Sequence, residues 1–282
     1  GVGTVTVVLK GPPQVVGRLD GVVGLSLRRN RHDGGEIRQA GAGAVQVCSK
    51  AAPVGLGERY YPVAHHQQGD LTAAEAGYQR VLEAEPDQPD AWHLLGVLSH
   101  QLGDSETALQ RIRKSLGIDS RQPRAHNNLG NILAACGRAD EALASYDAAI
   151  AIHPEYAQAY HNRGNVLADL QRKSEAISSY QQALTLQPDD RSAHQALGAL
   201  YEGAERLEDA CQQYRWLIEH QPGSKYGYLR LGQVLRKLNR LDEAREVYRQ
   251  WLGVEPNDAL AQHFLAACGE GAPPPRATDE YV

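Results

Sequence analysis

Two pairs of asparagines stand at matching places in the chain. Asn128 and Asn131 lie in NNLGN (127–131), and Asn162 and Asn165 lie in HNRGN (161–165), 34 residues further on. A carboxamide offers two N–H donors and a carbonyl acceptor, so it can bond a peptide group whatever side chain that peptide carries. Asparagine is a weak residue for a helix interior, because its side chain competes for the backbone's own hydrogen bonds. Four amides at repeated offsets are either polar residues carried along by duplication of the repeat or a surface that reads backbone. Other chemistry finds less support. Eleven histidines are scattered, and the adjacent His65 and His66 would not face one site on a helix. Cys48, Cys136, Cys211 and Cys268 form no CxxC pair and no zinc-like spacing, so no metal is expected. Cys136 and Cys211 fall inside helical patterns and read as small buried apolar residues. No HExxH, GxSxG or GxxxxGK[ST] run occurs, so neither catalysis by this chain alone nor a cofactor is expected.

The elements that position the amides are set by a repeat. Pro86, Pro154, Pro188, Pro222 and Pro256 share one phase of 34 residues, with Ser120 in the remaining slot. In that frame a glycine recurs at Gly96, Gly130, Gly164, Gly198 and Gly232, and an alanine at Ala74, Ala108, Ala142, Ala176, Ala210 and Ala244. Four residues after each alanine comes a large side chain: Tyr78, Ile112, Tyr146, Tyr180, Tyr214, Tyr248. Each unit reads as two helices. Glycine and alanine leave little side chain where the helices cross, the large residue lies one turn further along the same face, and proline ends the second helix. Gly69, Gly103 and Gly137 supply the left-handed turn between helices, and Asn239 can take the same role.

This is the pattern W-x2-L-G-x2-Y…A-x3-F…P, and AWHLLGVL (91–98) carries its opening nearly letter for letter. The chain resembles tetratricopeptide proteins, which implies an all-α solenoid: a right-handed superhelix of stacked helix pairs. Five full units are read at 89–122, 123–156, 157–190, 191–224 and 225–258, with a degenerate first unit at 59–88 whose first helix is irregular. Residues 259–268 read as a helix covering the apolar end of the stack, with Ala261, Phe264, Leu265 and Cys268 on one stripe. Residues 269–282, with their Pro-Pro-Pro run, read as a linker or tail. Residues 1–58 share no repeat and read as a poorly ordered leader or a small β-structure. Its two G-x-G triplets do not continue into a nucleotide-binding run.

In a stack of helix pairs the inner surface is lined mainly by first helices. Counting from the start of each unit, positions 4, 7, 8 and 11 face the partner helix, whereas positions 2, 6, 9 and 13 form a stripe on another face. Asn128 and Asn162 stand at position 6, and Asn131 and Asn165 at position 9. Arg124 holds position 2, Arg230 and Gln233 continue the stripe in the last unit, and His93, Asn127 and His161 flank it at position 5. His126 and His194 stand where other units carry Trp92, Tyr160 and Tyr228, and are expected to pack between helices.

The asparagine-rich first helices look like the arm of O-linked N-acetylglucosamine transferases, a resemblance that implies an amide ladder holding substrate peptides. The tail LAACGEGAPPPRATDEYV resembles the junction of bacterial proteins that join such repeats to an S-adenosylmethionine-dependent methyltransferase domain. That implies an alternative role as the partner-recruiting part of a longer methyltransferase or glycosyltransferase. A net charge of −5 argues against nucleic acid as the main partner. No run reaches the ~18 apolar residues of a membrane span, and no signal peptide is read. The expected partner is a protein or peptide, met in the cytoplasm.

Overall fold

The computed structural model describes residues 56–269, and over them the chain forms thirteen helices. The leader expected at 1–58 lies almost wholly outside this span, as does the tail beyond Gly269. The helices alternate as first and second members of a pair. They run α1 Leu56–Gln67 and α2 Leu71–Ala84, α3 Pro89–Gln101 and α4 Ser105–Ile118, then α5 Pro123–Ala135 and α6 Ala139–Ile152. The series continues with α7 Ala157–Asp169 and α8 Lys173–Leu186, α9 Arg191–Gly203 and α10 Leu207–His220, α11 Lys225–Lys237 and α12 Leu241–Val254. A single shorter helix, α13 Ala259–Ala266, closes the series. Each helix packs on the one before and the one after, as expected of a tetratricopeptide-type α-solenoid. Among the described residues, no helix is long and apolar enough to cross a membrane.

The helix starts follow from local charge. Asp70, Asp104, Asp190 and Asp258 cap α2, α4, α9 and α13 by accepting from the backbone N–H three residues on. The later second helices start differently. Arg138, Arg172, Arg206 and Arg240 hold the N-cap place and grip an acid three residues on, with Arg138 to Glu141 and Arg172 to Glu175 both at 2.7 Å. A carboxylate in the first turn suits the helix dipole, and the exposed arginine fork holds it there. Exposed pairs of this kind contribute less than about 1 kcal/mol each.

All six turns within pairs pass through the left-handed region at the same unit position. Gly69, Gly103 and Gly137 take it without cost, and Asn239 takes it at φ 58°, as the sequence implied. Gln171 and Glu205 also adopt it, at φ 59° and 57°. Neither carries a turn signature, and neither is identifiable from sequence. There the packing of helices on both sides imposes a conformation that costs a non-glycine residue about 1–2 kcal/mol.

The periodic alanines form the centre of the core: Ala74, Ala108, Ala142, Ala176, Ala210 and Ala244 are all 0% exposed. The glycines make room for the large residue of the second helix itself. A methyl group placed on Gly130 would meet Tyr146 Cε1 at 2.5 Å, and one on Gly198 would meet Tyr214 Cε1 at 2.6 Å. Each tyrosine ring thus lies directly over the first-helix backbone of its own unit, closer than the one-turn-away placement expected from spacing. At the end of the stack, Phe264 of α13 stacks on Tyr248 at 5.5 Å, and Ala261 and Cys268 are fully buried.

One cysteine expectation fails. Cys211 is buried, but Cys136 is exposed, because it is the C-cap of α5 and stands at the surface turn rather than on the apolar stripe. His194 is buried as expected and stacks on Trp216 at 3.7 Å, whereas His126 is only half-buried. Both rings bond the backbone of the preceding turn, His194 Nε2 to Pro188 O and His126 Nε2 to Ser120 O, each at 3.0 Å.

Candidate functional site on the first-helix face

The amide stripe is brought together, but its members are not equivalent. The position 6 amides link one unit to the previous one. Asn162 Nδ2 on α7 donates to Asn127 Oδ1 at 3.0 Å and Asn131 Oδ1 at 2.9 Å, both on α5. Asn128 Nδ2 on α5 bonds His93 Nε2 on α3 at 2.8 Å. The donors of these two asparagines therefore tie first helices to each other, and Gln158 Nε2 on the same helix fills Asn162 Oδ1 at 2.9 Å. Position 5 is the receiving side of this lock. His93 and Asn127 are buried, at 6% and 3% exposure, and do not lie open on the groove. His161 completes the series differently, with Nδ1 2.7 Å from Oδ2 of Asp190, the N-cap of α9.

The position 9 amides are anchored by a tyrosine of their own unit, and Asn131 by Asn162 of the following unit as well. Tyr146 OH donates to Asn131 Oδ1 at 2.9 Å, and Tyr180 OH donates to Asn165 Oδ1. Burial pushes both phenols well above the ordinary tyrosine range, with Asp169 and Asp190 adding to the effect at Tyr180, so they remain donors at any physiological pH. With both oxygens held, the NH2 groups of Asn131 and Asn165 have no bonding partner among the described residues, and both residues are exposed. The result is two free donors, one unit apart, with their orientation fixed from behind.

The pattern changes along the stripe. In 191–224 positions 6 and 9 are Ala196 and Ala199. On α11, Arg230 Nη2 pairs with Glu202 Oε1 at 2.9 Å, and Lys237 Nζ with Oε2 at 3.2 Å. Glu202 is 5% exposed and also accepts from Tyr214 OH at 2.7 Å. Burial works against the charge on Arg230, but Tyr214 and Glu202 outweigh it and hold the guanidinium above its ordinary value. Gln233 receives only a long bond from Arg230, at 3.4 Å. Arg124 is exposed on α5. Its charge helps push His93 down to about 4, an effect due first to the burial of that ring, so His93 is neutral at pH 7.

Sequence reasoning missed the carboxylates of Asp190, bonded to His161, and Glu202, bonded to Arg230, Lys237 and Tyr214, and the anchoring tyrosine hydroxyls. The tyrosines read as volume alone, although a buried phenol needs a hydrogen-bond partner. Glu202 had a legible signal, since its place in the repeat carries His100, Ala134, Ala168 and Arg236 elsewhere.

Models of the tetratricopeptide repeat match residues 78–110, 157–190 and 196–261, and a related TPR repeat model matches 130–171. Together they span more than half of the chain. This is a tetratricopeptide-repeat protein. Among curated proteins no sequence matches it significantly. Solved structures share its fold. PilF of Pseudomonas aeruginosa is 22% identical, covers 74% of this chain and 96% of its own, and superposes with a TM-score of 0.61. YrrB, described as a TPR protein with an unusual peptide-binding site, is 22% identical over 66% of this chain and 96% of its own, with a TM-score of 0.57. MamA is 25% identical over 56% of this chain and 92% of its own, with a TM-score of 0.52.

Proposed function

We propose that this tetratricopeptide array is a protein-interaction scaffold that holds an extended segment of a partner along its first-helix face, with Asn131 and Asn165 donating to backbone carbonyls of that segment. One observation carries the reading: the tyrosine hydroxyls occupy the oxygens of both amides and leave two exposed NH2 groups, at the same position of successive units, without a partner. Donors fixed in advance lose little entropy when they bind, and an amide donor reads the main chain, so the recognition tolerates side-chain variation in the partner. YrrB, which shares the fold, has a peptide-binding site, and that supports such an array as a holder of peptides.

The test is a peptide selected from a random library on the parent chain, then measured against variants. Each net hydrogen bond is worth about 0.5–1.5 kcal/mol. N131A/N165A should therefore weaken the peptide by about 1–3 kcal/mol, roughly 5- to 150-fold in Kd. N131A/N165A also takes the acceptors of Tyr146, Tyr180 and one Asn162 bond, so affinity is compared well below its melting temperature. N162A removes both bonds between units but no free donor, and should lower stability without that loss of affinity. If N131A/N165A folds normally and binds the selected peptides as the parent does, the reading is wrong.

A further inference from the structure

On the opposite side of the array a cleft of about 310 Å3 opens between the second helices α10 and α12, with α11 beneath. Its floor is apolar: Ile218, Leu231, Leu235 and Val247. Its rim is mainly acidic, with Glu219, Glu243 and Glu246 against the single cation Arg215. Glu243 is already neutralised by Arg240 at 2.6 Å and Arg215 at 3.2 Å. Glu219 is exposed and makes no ion pair among the described residues. Glu246 has only long contacts, to Arg249 at 3.7 Å and from Gln250 Nε2, also on the rim, at 3.5 Å, and its side chain is well exposed. Glu219 thus stands unpaired over an apolar floor, and Glu246 beside it is held by long contacts alone.

The repeat shows what such a place holds. Two units earlier, position 7 carries Arg163 where the cleft has Leu231. Its Nε donates to Asp147 Oδ1 and its Nη1 to Ser179 Oγ, both at 2.7 Å. Asp147 and Ser179 occupy the unit positions of Arg215 and Val247 at the cleft. Nearer the start of the array, Arg111 stands at the place of Val247 and donates through Nη1 to Ser99 Oγ, within 3.8 Å of Glu75. The chain therefore fills two equivalent places with its own guanidinium groups, on partners that the cleft does not repeat; the carboxylates available here are Glu219 and Glu246 instead. Between α10 and α12 the same positions are Leu231, Leu235 and Val247, none of which carries a polar group.

We propose that this cleft binds an arginine side chain supplied by a protein partner, its methylenes on the Leu231–Leu235 floor and its guanidinium between Glu219 and Glu246. The volume is at the lower end for ligand pockets and suits one long side chain. Apolar stem on apolar floor with the charged head at a carboxylate rim is the ordinary way such side chains are accommodated. Arginine is favoured over lysine because a planar fork can bond two carboxylates at once and is less strongly hydrated. The site is independent of the amide face and stands or falls separately from it.

The probe is N-acetyl-arginine amide, titrated into the full chain and followed by backbone 1H–15N shifts. N-acetyl-citrulline amide, of equal length but neutral, and N-acetyl-lysine amide serve as comparisons. The expected result is saturable shifts confined to α10, α11 and α12 with a Kd of roughly millimolar order, at least ten-fold weaker for citrulline and weaker for lysine. E219Q/E246Q changes two exposed groups, should melt like the parent, and should weaken arginine at least ten-fold. V247R, which places an arginine where Arg111 stands in its own unit, should abolish the shifts. Equal responses to arginine and citrulline, shifts scattered over other acidic surfaces, or full binding by E219Q/E246Q would each overturn the proposal.

Discussion

Replacing single glycines of the first helices by alanine should produce a graded loss of stability that follows the distance to the facing tyrosine. Alanine has the better helix propensity, by about 0.8–1.0 kcal/mol, so a site with room gains from the change. Gly164 is the mildest crowded case, with the new methyl 3.0 Å from Tyr180 Cε1. There a small ring displacement offsets the propensity gain, and the expected net change is within about 1 kcal/mol of zero. Gly130 and Gly198 bring the methyl to 2.5 and 2.6 Å from a ring carbon. All three rings are held at the hydroxyl, Tyr180 by Asn165, Tyr146 by Asn131 and Tyr214 by Glu202, so the shorter distance decides, and Tyr146 and Tyr214 must move further. Overpacking of about 1–3 kcal/mol or more is expected before the propensity gain is subtracted. Gly232 is the most crowded, with Tyr248 Cζ, Cε1 and OH all inside contact distance, and Tyr248 is completely buried. Gly117 and Gly253, which meet nothing within 4 Å, are the controls and should be neutral or stabilised. Thermal melting reads the series, at about 2–4 °C per kcal/mol for a chain of this size. Equal shifts at all four crowded sites, or a G232A variant as stable as the parent, would mean that the rings do not lie over the glycines.

Two further outcomes follow from the same structure. Q171G and E205G should each raise the melting temperature, because glycine relieves a left-handed conformation worth about 1–2 kcal/mol while costing about 0.4–1 kcal/mol of unfolded-chain entropy; a fall at both would show that those turns are not strained. His93, lowered from 6.5 to about 4 first by burial and then by Arg124, binds its proton more readily when unfolded, so its contribution is complete above pH 6.5 and is lost as pH falls toward 4. The loss should be about 3 kcal/mol at 1.36 kcal/mol per unit, read by denaturant unfolding at stepped pH. H93Q should flatten that window, and an unchanged pH profile would contradict it.

The fold was legible because a 34-residue phase ties each glycine, alanine and tyrosine to one geometric role. A single helix pair cannot satisfy that phase alone, so the repeat also implied stacking. The site was legible only in outline. The amides at positions 6 and 9 look alike in sequence, since nothing in NNLGN or HNRGN distinguishes an amide that reaches back to the previous unit from one that faces outward. The difference arises from tertiary partners far along the chain: Tyr146 for Asn131, and Asn162 reaching back to Asn127 and Asn131. Gln171 and Glu205 escape sequence reasoning for a related reason, as packing rather than propensity sets their backbone. Cys136 differs from expectation because the helical periodicity, taken alone, runs one residue past the last turn of α5.

The most direct test of the peptide-holding account is to observe the asparagine side-chain NH2 groups themselves. With 15N-labelled chain and a peptide selected on the parent, the side-chain amide resonances can be assigned through N131D, N162D and N165D and followed through a titration. The account predicts that the NH2 signals of Asn131 and Asn165 shift together, saturate at one Kd and exchange more slowly with solvent, while that of Asn162, already bonded to Asn127 and Asn131, stays nearly in place. Saturable peptide binding that leaves Asn131 and Asn165 unmoved would contradict it.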